Sequence, residues 1–145
     1  MGYYINQEEA QFVILKENFS RCLDAIKGLM SQTDKMTGGS WSGGGQTFTL
    51  CGFAWVDTDS VLSAETLVDA FAAWRWDAKL DNDGNIYHIF FLGEKAGSDD
   101  NLMEVIAPFV KCGSYIQMRG EEGEIWRYFF KGGKLRHLEA KIVWE

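Results

Sequence analysis

The chain is poor in the residues from which metal sites and disulfide frameworks are built. Its three cysteines, Cys22, Cys51 and Cys112, lie far apart and form no C-x-x-C pair. Its two histidines, His88 and His137, have no cysteine or second histidine at ligand spacing. We therefore expect reduced and buried thiols, no disulfide framework, and no metal or other cofactor.

Long apolar runs are also missing. No stretch approaches the roughly 20 apolar residues that a membrane-spanning helix needs. Residues 1–20 lack the basic segment and apolar core of a secretory signal peptide. We expect a cytoplasmic protein, in its own cell or in a cell that its genome has entered.

Positive charge is scarce in the middle of the chain. Residues 57–104 hold eleven acids and three bases, a net charge of −8, and the remainder holds ten acids and eleven bases, a net charge of +1. The two parts sum to the formal charge of −7. Such a field repels nucleic acid and attracts basic surfaces, which argues against DNA or RNA as the direct ligand.

Motifs for calcium and phosphate binding are incomplete. Residues 81–85, Asp-Asn-Asp-Gly-Asn, resemble part of a calcium loop, but the alignment places Lys79 at the first ligand position and Phe90 at the last. The glycines at 43–45 are not followed by the lysine of a phosphate-binding loop. These features predict a hairpin turn at 81–85 and a flexible glycine-rich loop at 37–45, and we assign no catalytic residue.

The apolar pattern predicts both helices and strands. Helical spacing recurs over residues 17–31, from Ser63 to Trp74, and from Ser98 towards Pro108. Strands are predicted at residues 3–5, 12–15, 47–56, 76–80, 86–92, 115–119, 125–131 and 135–144, with 6–11 as a polar connection. Hairpins outnumber possible parallel crossovers. We predict one α+β domain over residues 1–145, an antiparallel or mixed sheet with about three helices packed on one face and a C-terminal β-meander.

Two groups of side chains are candidates for binding. The first would contact a basic protein through carboxylates and one aromatic anchor: Asp77, Asp81, Asp83, Asp99, Asp100 and Trp41. The second would bind a small anion, because arginine stacked on aromatic rings recognises phosphate or carboxylate: Arg119, Arg127, Tyr115, Trp126 and Tyr128. A cross-strand ladder of salt bridges is the structural alternative for the two arginines.

The second half of the chain carries a recognisable series of short motifs. They are Trp74-Arg75-Trp76, Pro108-Phe109-Val110, Gly113-Ser114-Tyr115-Ile116, Arg119-Gly120-Glu121-Glu122-Gly123, Trp126-Arg127-Tyr128 and Gly132-Gly133-Lys134. This series resembles a pattern in small acidic uncharacterised proteins of bacteria, their phages and other mobile elements. The resemblance implies a compact accessory protein, of a kind in which inhibitors of host defence and toxin-neutralising proteins are frequent. It carries no catalytic residues across, and the glycine-rich segment departs from it.

These observations lead to one hypothesis and two alternatives. The hypothesis is a non-enzymatic protein that masks a basic surface of a protein partner, such as a host defence nuclease, in the manner of an anti-CRISPR inhibitor. The first alternative is an immunity protein for a nuclease toxin, which would use the same charge complementarity. The second is a small-anion binding protein or hydrolase that uses the arginine-aromatic group.

Overall fold

The computed structural model describes residues 3–32, 38–41 and 49–144, and only the backbone is described for 38–41 and 49–52. Within these ranges the chain forms four α-helices and eight strands. In chain order they are β1 (Ile5–Gln11), α1 (Phe19–Leu29), β2 (Gly38–Trp41), β3 (Thr49–Gly52), α2 (Thr58–Ser63), α3 (Leu67–Ala73), β4 (Trp76–Leu80), β5 (Ile86–Phe91), α4 (Asp99–Ile106), β6 (Tyr115–Gly120), β7 (Ile125–Lys131) and β8 (Lys134–Glu139). Short 3-10 turns precede α1 and follow α4.

The largest sheet is antiparallel, with strand order β1-β6-β7-β8. The last three strands follow one another directly and form the predicted C-terminal meander. The predicted α+β class is confirmed. The fourth strand, β1, is distant in sequence from these three and pairs antiparallel with β6, with Ile5 opposite Gly120 and Gln11 opposite Tyr115.

A separate hairpin of β4 and β5 lies beside β1. The predicted turn at 81–85 closes it, and Gly84 has a φ of 88°, a conformation that glycine adopts without steric cost. The side chain of Gln7 joins this hairpin to the large sheet, because its amide donates to the carbonyl of Ile89 and accepts from the N–H of Phe91. A bridge between Ile14 and Ile86 adds a second connection.

The helices and the inner face of the large sheet enclose one aromatic-rich core. Phe12 packs edge-on against Phe71 of α3 and Phe130 of β7. Trp74 and Trp76 lie just after the end of α3 and are fully buried. Large aromatic side chains bury 150–250 Å² each, so this cluster supplies much of the apolar driving force.

Several predicted boundaries are wrong for identifiable reasons. The polar segment at 6–11 is most of a strand, because one face of β1 is turned to water and needs no apolar residues. Residues 53–56 follow β3 instead of extending it, and Trp55 has a positive φ of 66°. The helix predicted from Ser63 to Trp74 begins later, at Leu67, where Thr66 caps α3. Ser63 is the last residue of a separate helix, α2, which is capped by Asp57.

Two further predictions concern the last strand and the glycine-rich segment. The last strand ends at Glu139, and the alternating residues beyond it lie in the open, with Ile142 and Trp144 82% and 90% exposed. Part of the predicted glycine-rich loop, Gly38–Trp41, is a strand paired with Thr49–Gly52. The other residues of that loop lie outside the described residues.

Candidate functional site

The outward face of the β4–β5 hairpin carries an unusual density of exposed aromatic side chains. Tyr87 is 53% exposed and Phe90 is 42% exposed. The strand register slips by one residue between Lys79 and Leu80, which leaves Tyr87 without a partner on β4. The ring of His88 packs edge-on against Phe90, with 4.4 Å between the ring centroids.

Carboxylates lie next to these rings. Asp77 is opposite Phe90 in the register and forms an ion pair of 2.8 Å with Lys79. Asp81 and Asp83 are exposed in the turn that closes the hairpin. The carboxylate of Asp81 accepts hydrogen bonds from the N–H groups of Asp83 and Asn85, so it also holds the turn. The hairpin face is defined here as Asp77, Lys79, Tyr87, His88 and Phe90 together with the turn acids Asp81 and Asp83.

Asp99 does not belong to an exposed acidic surface, contrary to the prediction from the sequence. It is 3% exposed, and its carboxylate accepts hydrogen bonds from the Arg75 guanidinium and the Trp76 indole, each at 3.0 Å. Arg75 also donates to the carbonyl of Lys95 at 2.8 Å. Burial raises the pKa of Asp99 above its usual value, although the guanidinium opposes this effect. Asp99 is therefore part of the packing between α4 and the hairpin.

The neighbouring Asp100 is exposed, and it accepts a hydrogen bond of 2.8 Å from the hydroxyl of Tyr128. Tyr128 itself is 2% exposed. Burial, together with the Asp100 carboxylate, raises the pKa of Tyr128 well above its usual range. Of the five predicted acidic contacts, Asp77, Asp81 and Asp83 lie together, Asp100 lies at the start of α4, and Asp99 is buried.

The five residues proposed to bind a small anion are divided between the two faces of the large sheet. Alternation along the strands places Tyr115, Arg119 and Arg127 on the outer face, whereas Trp126 and Tyr128 are on the core side. Both arginines are already paired: Arg119 with Glu8 at 2.7 Å and Arg127 with Glu9 at 3.2 Å. The register slip in β1 between Gln7 and Glu9 allows both glutamates to reach that face. The ladder of salt bridges accounts for the two arginines.

A cleft of about 600 Å³ opens between the core side of β7 and β8, the start of α4 and the chain that follows β8. One wall is aromatic: the rings of Trp126 and His137 stack at 6.2 Å, and Tyr128 meets His137 edge-on at 5.8 Å. Its remaining lining includes four acidic residues and no lysine or arginine: Asp99, Asp100, Glu124 and Glu139. The indole N–H of Trp126 is buried without a hydrogen bond of normal geometry among the described residues, although the Tyr128 hydroxyl lies near it.

Other predictions concern metals, membranes and Trp41. Within the described residues, no group of three or more metal-binding side chains is close enough to hold an ion. None of the helices in that part of the chain is long and apolar enough to cross a membrane. The backbone of Trp41 lies in β2, but its side chain, the predicted anchor, lies outside what the structure describes.

Comparison with protein-family models, with curated proteins and with solved structures gives no match to this chain. The implication of the resemblance to mobile-element proteins therefore remains an expectation.

Sequence reasoning missed Tyr87 and Phe90 as exposed residues, because aromatic residues in a strand are usually taken as core. Their positions gave one indication: each directly follows an isoleucine, Ile86 or Ile89, that is fully buried. Neighbouring side chains in a strand point to opposite faces, so burial of the isoleucines turns Tyr87 and Phe90 outward. The role of Asp99 was also missed. The indication there was Arg75 between two tryptophans, since a cation in an apolar run needs a nearby carboxylate.

Proposed function

We propose that this protein is a non-enzymatic binding protein whose hairpin face covers a basic surface of a protein partner. The observation that carries the proposal is the combination of exposed Tyr87 and Phe90 with Asp77, Asp81 and Asp83 on one small hairpin. Aromatic residues supply contact area at interface centres, and charges of one sign around them select partners of the other sign.

A nucleic-acid-handling enzyme is the partner that this chemistry fits best. Such enzymes present lysine and arginine surfaces to the phosphate backbone, and an acidic protein competes for the same surface. The net charge of −8 over residues 57–104 would accelerate the encounter at low ionic strength. Under this proposal the partner loses nucleic-acid binding when the complex forms. A defence nuclease of a bacterial host is the specific case that we favour.

The test compares two variants with the same net charge. The hairpin variant carries Asp77→Lys and Asp83→Lys, and the control variant carries Glu17→Lys and Asp24→Lys, two exposed acids near and on α1. Each pair adds four charges to the formal −7 and gives −3. Wild type and both variants are immobilised and exposed to bacterial lysate at low and high salt, and the captured proteins are identified by mass spectrometry.

We expect the wild type and the control variant to retain one basic nucleic-acid enzyme at low salt, and the hairpin variant to lose it. The captured enzyme is then purified, and its binding to nucleic acid is measured with and without the protein. Equal retention by both variants would show that the hairpin face is not the binding surface. Undiminished nucleic-acid binding in the complex would rule out masking.

A third variant separates the aromatic contribution from the charges. Tyr87→Ala with Phe90→Ala leaves the net charge unchanged and removes two exposed rings, which contribute little to the core. We expect capture to weaken at every salt concentration, because the lost contact is apolar and is not screened. Unchanged capture would show that the two rings do not contribute to binding and that the interface depends on the charged residues.

A further inference from the structure

The cleft beside β7 and β8 has the composition of a cation site. Asp100, Glu124 and Glu139 line it, and none of them forms an ion pair within the described residues. Asp99 differs, because Arg75 neutralises it. Asp100 and Glu124 accept hydrogen bonds from the hydroxyls of Tyr128 and Tyr3, which are neutral donors. The three carboxylates therefore keep their charge without a counter-ion and create a negative potential in a partly enclosed space that Trp126 also lines.

The geometry excludes several other ligand classes. A small anion would meet three carboxylates and no lysine or arginine. A single metal ion needs several ligands within about 2–2.6 Å of one point, and the described carboxylates and histidines include no such group. A purely apolar ligand would remove water from the carboxylates without pairing them, which is unfavourable. An organic cation would satisfy the carboxylates and the aromatic wall together.

We propose that this cleft binds an organic cation that carries a guanidinium or alkylammonium group, with Asp100 and Glu139 as counter-ions and Trp126 as the aromatic surface. The volume of about 600 Å³ lies within the range of small-molecule sites. An acceptor atom next to the cation, such as a carbonyl oxygen, would also supply a partner for the buried indole N–H of Trp126. The cleft is a different surface from the hairpin face, so the inference goes beyond the proposed function.

The same cation chemistry has two sources: a free small molecule, or an arginine or lysine side chain of a protein. N-acetyl-arginine amide represents the first, and the capped peptide acetyl-Gly-Arg-Gly-amide represents the second. N-acetyl-citrulline amide is the matched neutral probe, because its α-amine is capped and its urea group replaces the guanidinium at nearly equal size. Binding is measured by calorimetry, and the indole N–H signal of Trp126 in a two-dimensional nitrogen–proton spectrum reports where the probe binds.

We expect binding of a guanidinium probe, a shift of the Trp126 signal and no binding of N-acetyl-citrulline amide. Glu139→Gln should weaken the affinity about tenfold, since it removes a charged acceptor from a cation. Glu122→Gln, which changes an exposed turn acid that does not line the cleft, should leave the affinity unchanged. Binding of N-acetyl-arginine amide supports a free ligand, and binding of the peptide alone supports a protein side chain. If neither probe binds at millimolar concentration, or Glu139→Gln binds as the wild type does, the proposal is overturned.

The Asp77→Lys and Asp83→Lys variant distinguishes this inference from the proposed function. These residues do not line the cleft, so the variant should bind the guanidinium probe with wild-type affinity while losing the captured enzyme. Failure of one experiment therefore leaves the other interpretable.

Discussion

Trp76 and Asp99 are 23 positions apart in the chain, and the indole nitrogen of Trp76 donates a 3.0 Å hydrogen bond to the carboxylate of Asp99. The same carboxylate pairs with Arg75, whose side chain is only 16% exposed. The end of α3, the start of β4 and the start of α4 are thereby held together by one buried polar group.

Replacing Asp99 with alanine should therefore destabilise the protein strongly. The change leaves the mostly buried Arg75 guanidinium without its counter-ion and the buried Trp76 indole N–H without its acceptor. Loss of one partner of a buried ion pair costs about 3–5 kcal/mol. Urea unfolding followed by circular dichroism measures the loss of stability.

Asp83→Ala, which changes an exposed turn acid, is the control and should change stability little. If the alanine variant does not fold, Asp99→Asn, which keeps the acceptor oxygen, allows the comparison. Similar stability of the Asp99 and Asp83 variants would contradict the structural role.

The raised pKa of Asp99 gives stability a defined pH dependence. A carboxyl with a folded-state pKa above its ordinary value of 3.8 binds its proton more tightly in the native state than in the unfolded state. The contribution of this proton to the free energy of unfolding is complete at a pH below the ordinary pKa. It is lost as the pH rises through the raised pKa of the folded state. Asp99→Asn cannot titrate. We expect the wild type to lose stability relative to this variant as the pH rises through that window, measured from urea unfolding at each pH. If the wild type instead gained stability relative to the variant over the same pH range, the ion pair with Arg75 would lower the pKa of Asp99 by more than burial raises it.

Gln7 connects the two main sheets, and its loss should be measurable. Gln7→Ala leaves the carbonyl of Ile89 and the N–H of Phe91 without their side-chain partner in a part-buried position. Each unsatisfied buried group lowers the free energy of unfolding by about 1–3 kcal/mol, and less where the group is partly exposed. Gln11→Ala is the matched control on the same strand, because Gln11 is exposed. Amide hydrogen exchange should accelerate for Phe91 in the Gln7 variant. Equal exchange in the two variants would mean that the connection contributes nothing.

The cysteines should differ in reactivity. Cys22 is fully buried in α1, as predicted, and burial raises the pKa of its thiol to about 12. Cys112 is exposed, so the prediction of a buried thiol is wrong at this position. Only the thiolate reacts with iodoacetamide, so Cys112 should be modified in the native protein and Cys22 only after unfolding. Peptide mapping by mass spectrometry, with and without urea, identifies the modified sites. Rapid native modification of Cys22 would indicate that α1 opens readily.

The elements predicted well are those whose pattern is local. The helix at α1, the β4–β5 hairpin, the start of α4 at Ser98 and the meander all follow from periodicity and turn residues within about 30 positions. β1 was missed because its pairing with β6 depends on residues more than 100 positions away, and a strand with one wet face resembles a loop.

The candidate sites were harder to predict from the sequence, because they depend on contacts between distant parts of the chain. That Trp126 and Tyr128 lie on the opposite face from Arg127 follows from alternation along a strand and was predictable. The burial of Asp99 was not, because it depends on Arg75 and Trp76 being brought to the start of α4. The cleft combines residues from α4, β7, β8 and two connecting segments, a combination that no local pattern indicates.

The pairing of β1 with β6 also has a consequence for how the chain is made. Ile5–Gln11 leaves the ribosome before Tyr115–Gly120 and finds its hydrogen-bonding neighbour only when that strand has been synthesised. Contacts between such distant segments slow folding, because closing a long loop costs entropy before the contacts form. We therefore expect β1 to stay unpaired in the nascent chain until β6 has emerged, and the largest sheet to close only then. A nascent chain stalled before Tyr115 should be cleaved readily by protease within Ile5–Gln11, and the released chain that includes β6 should resist.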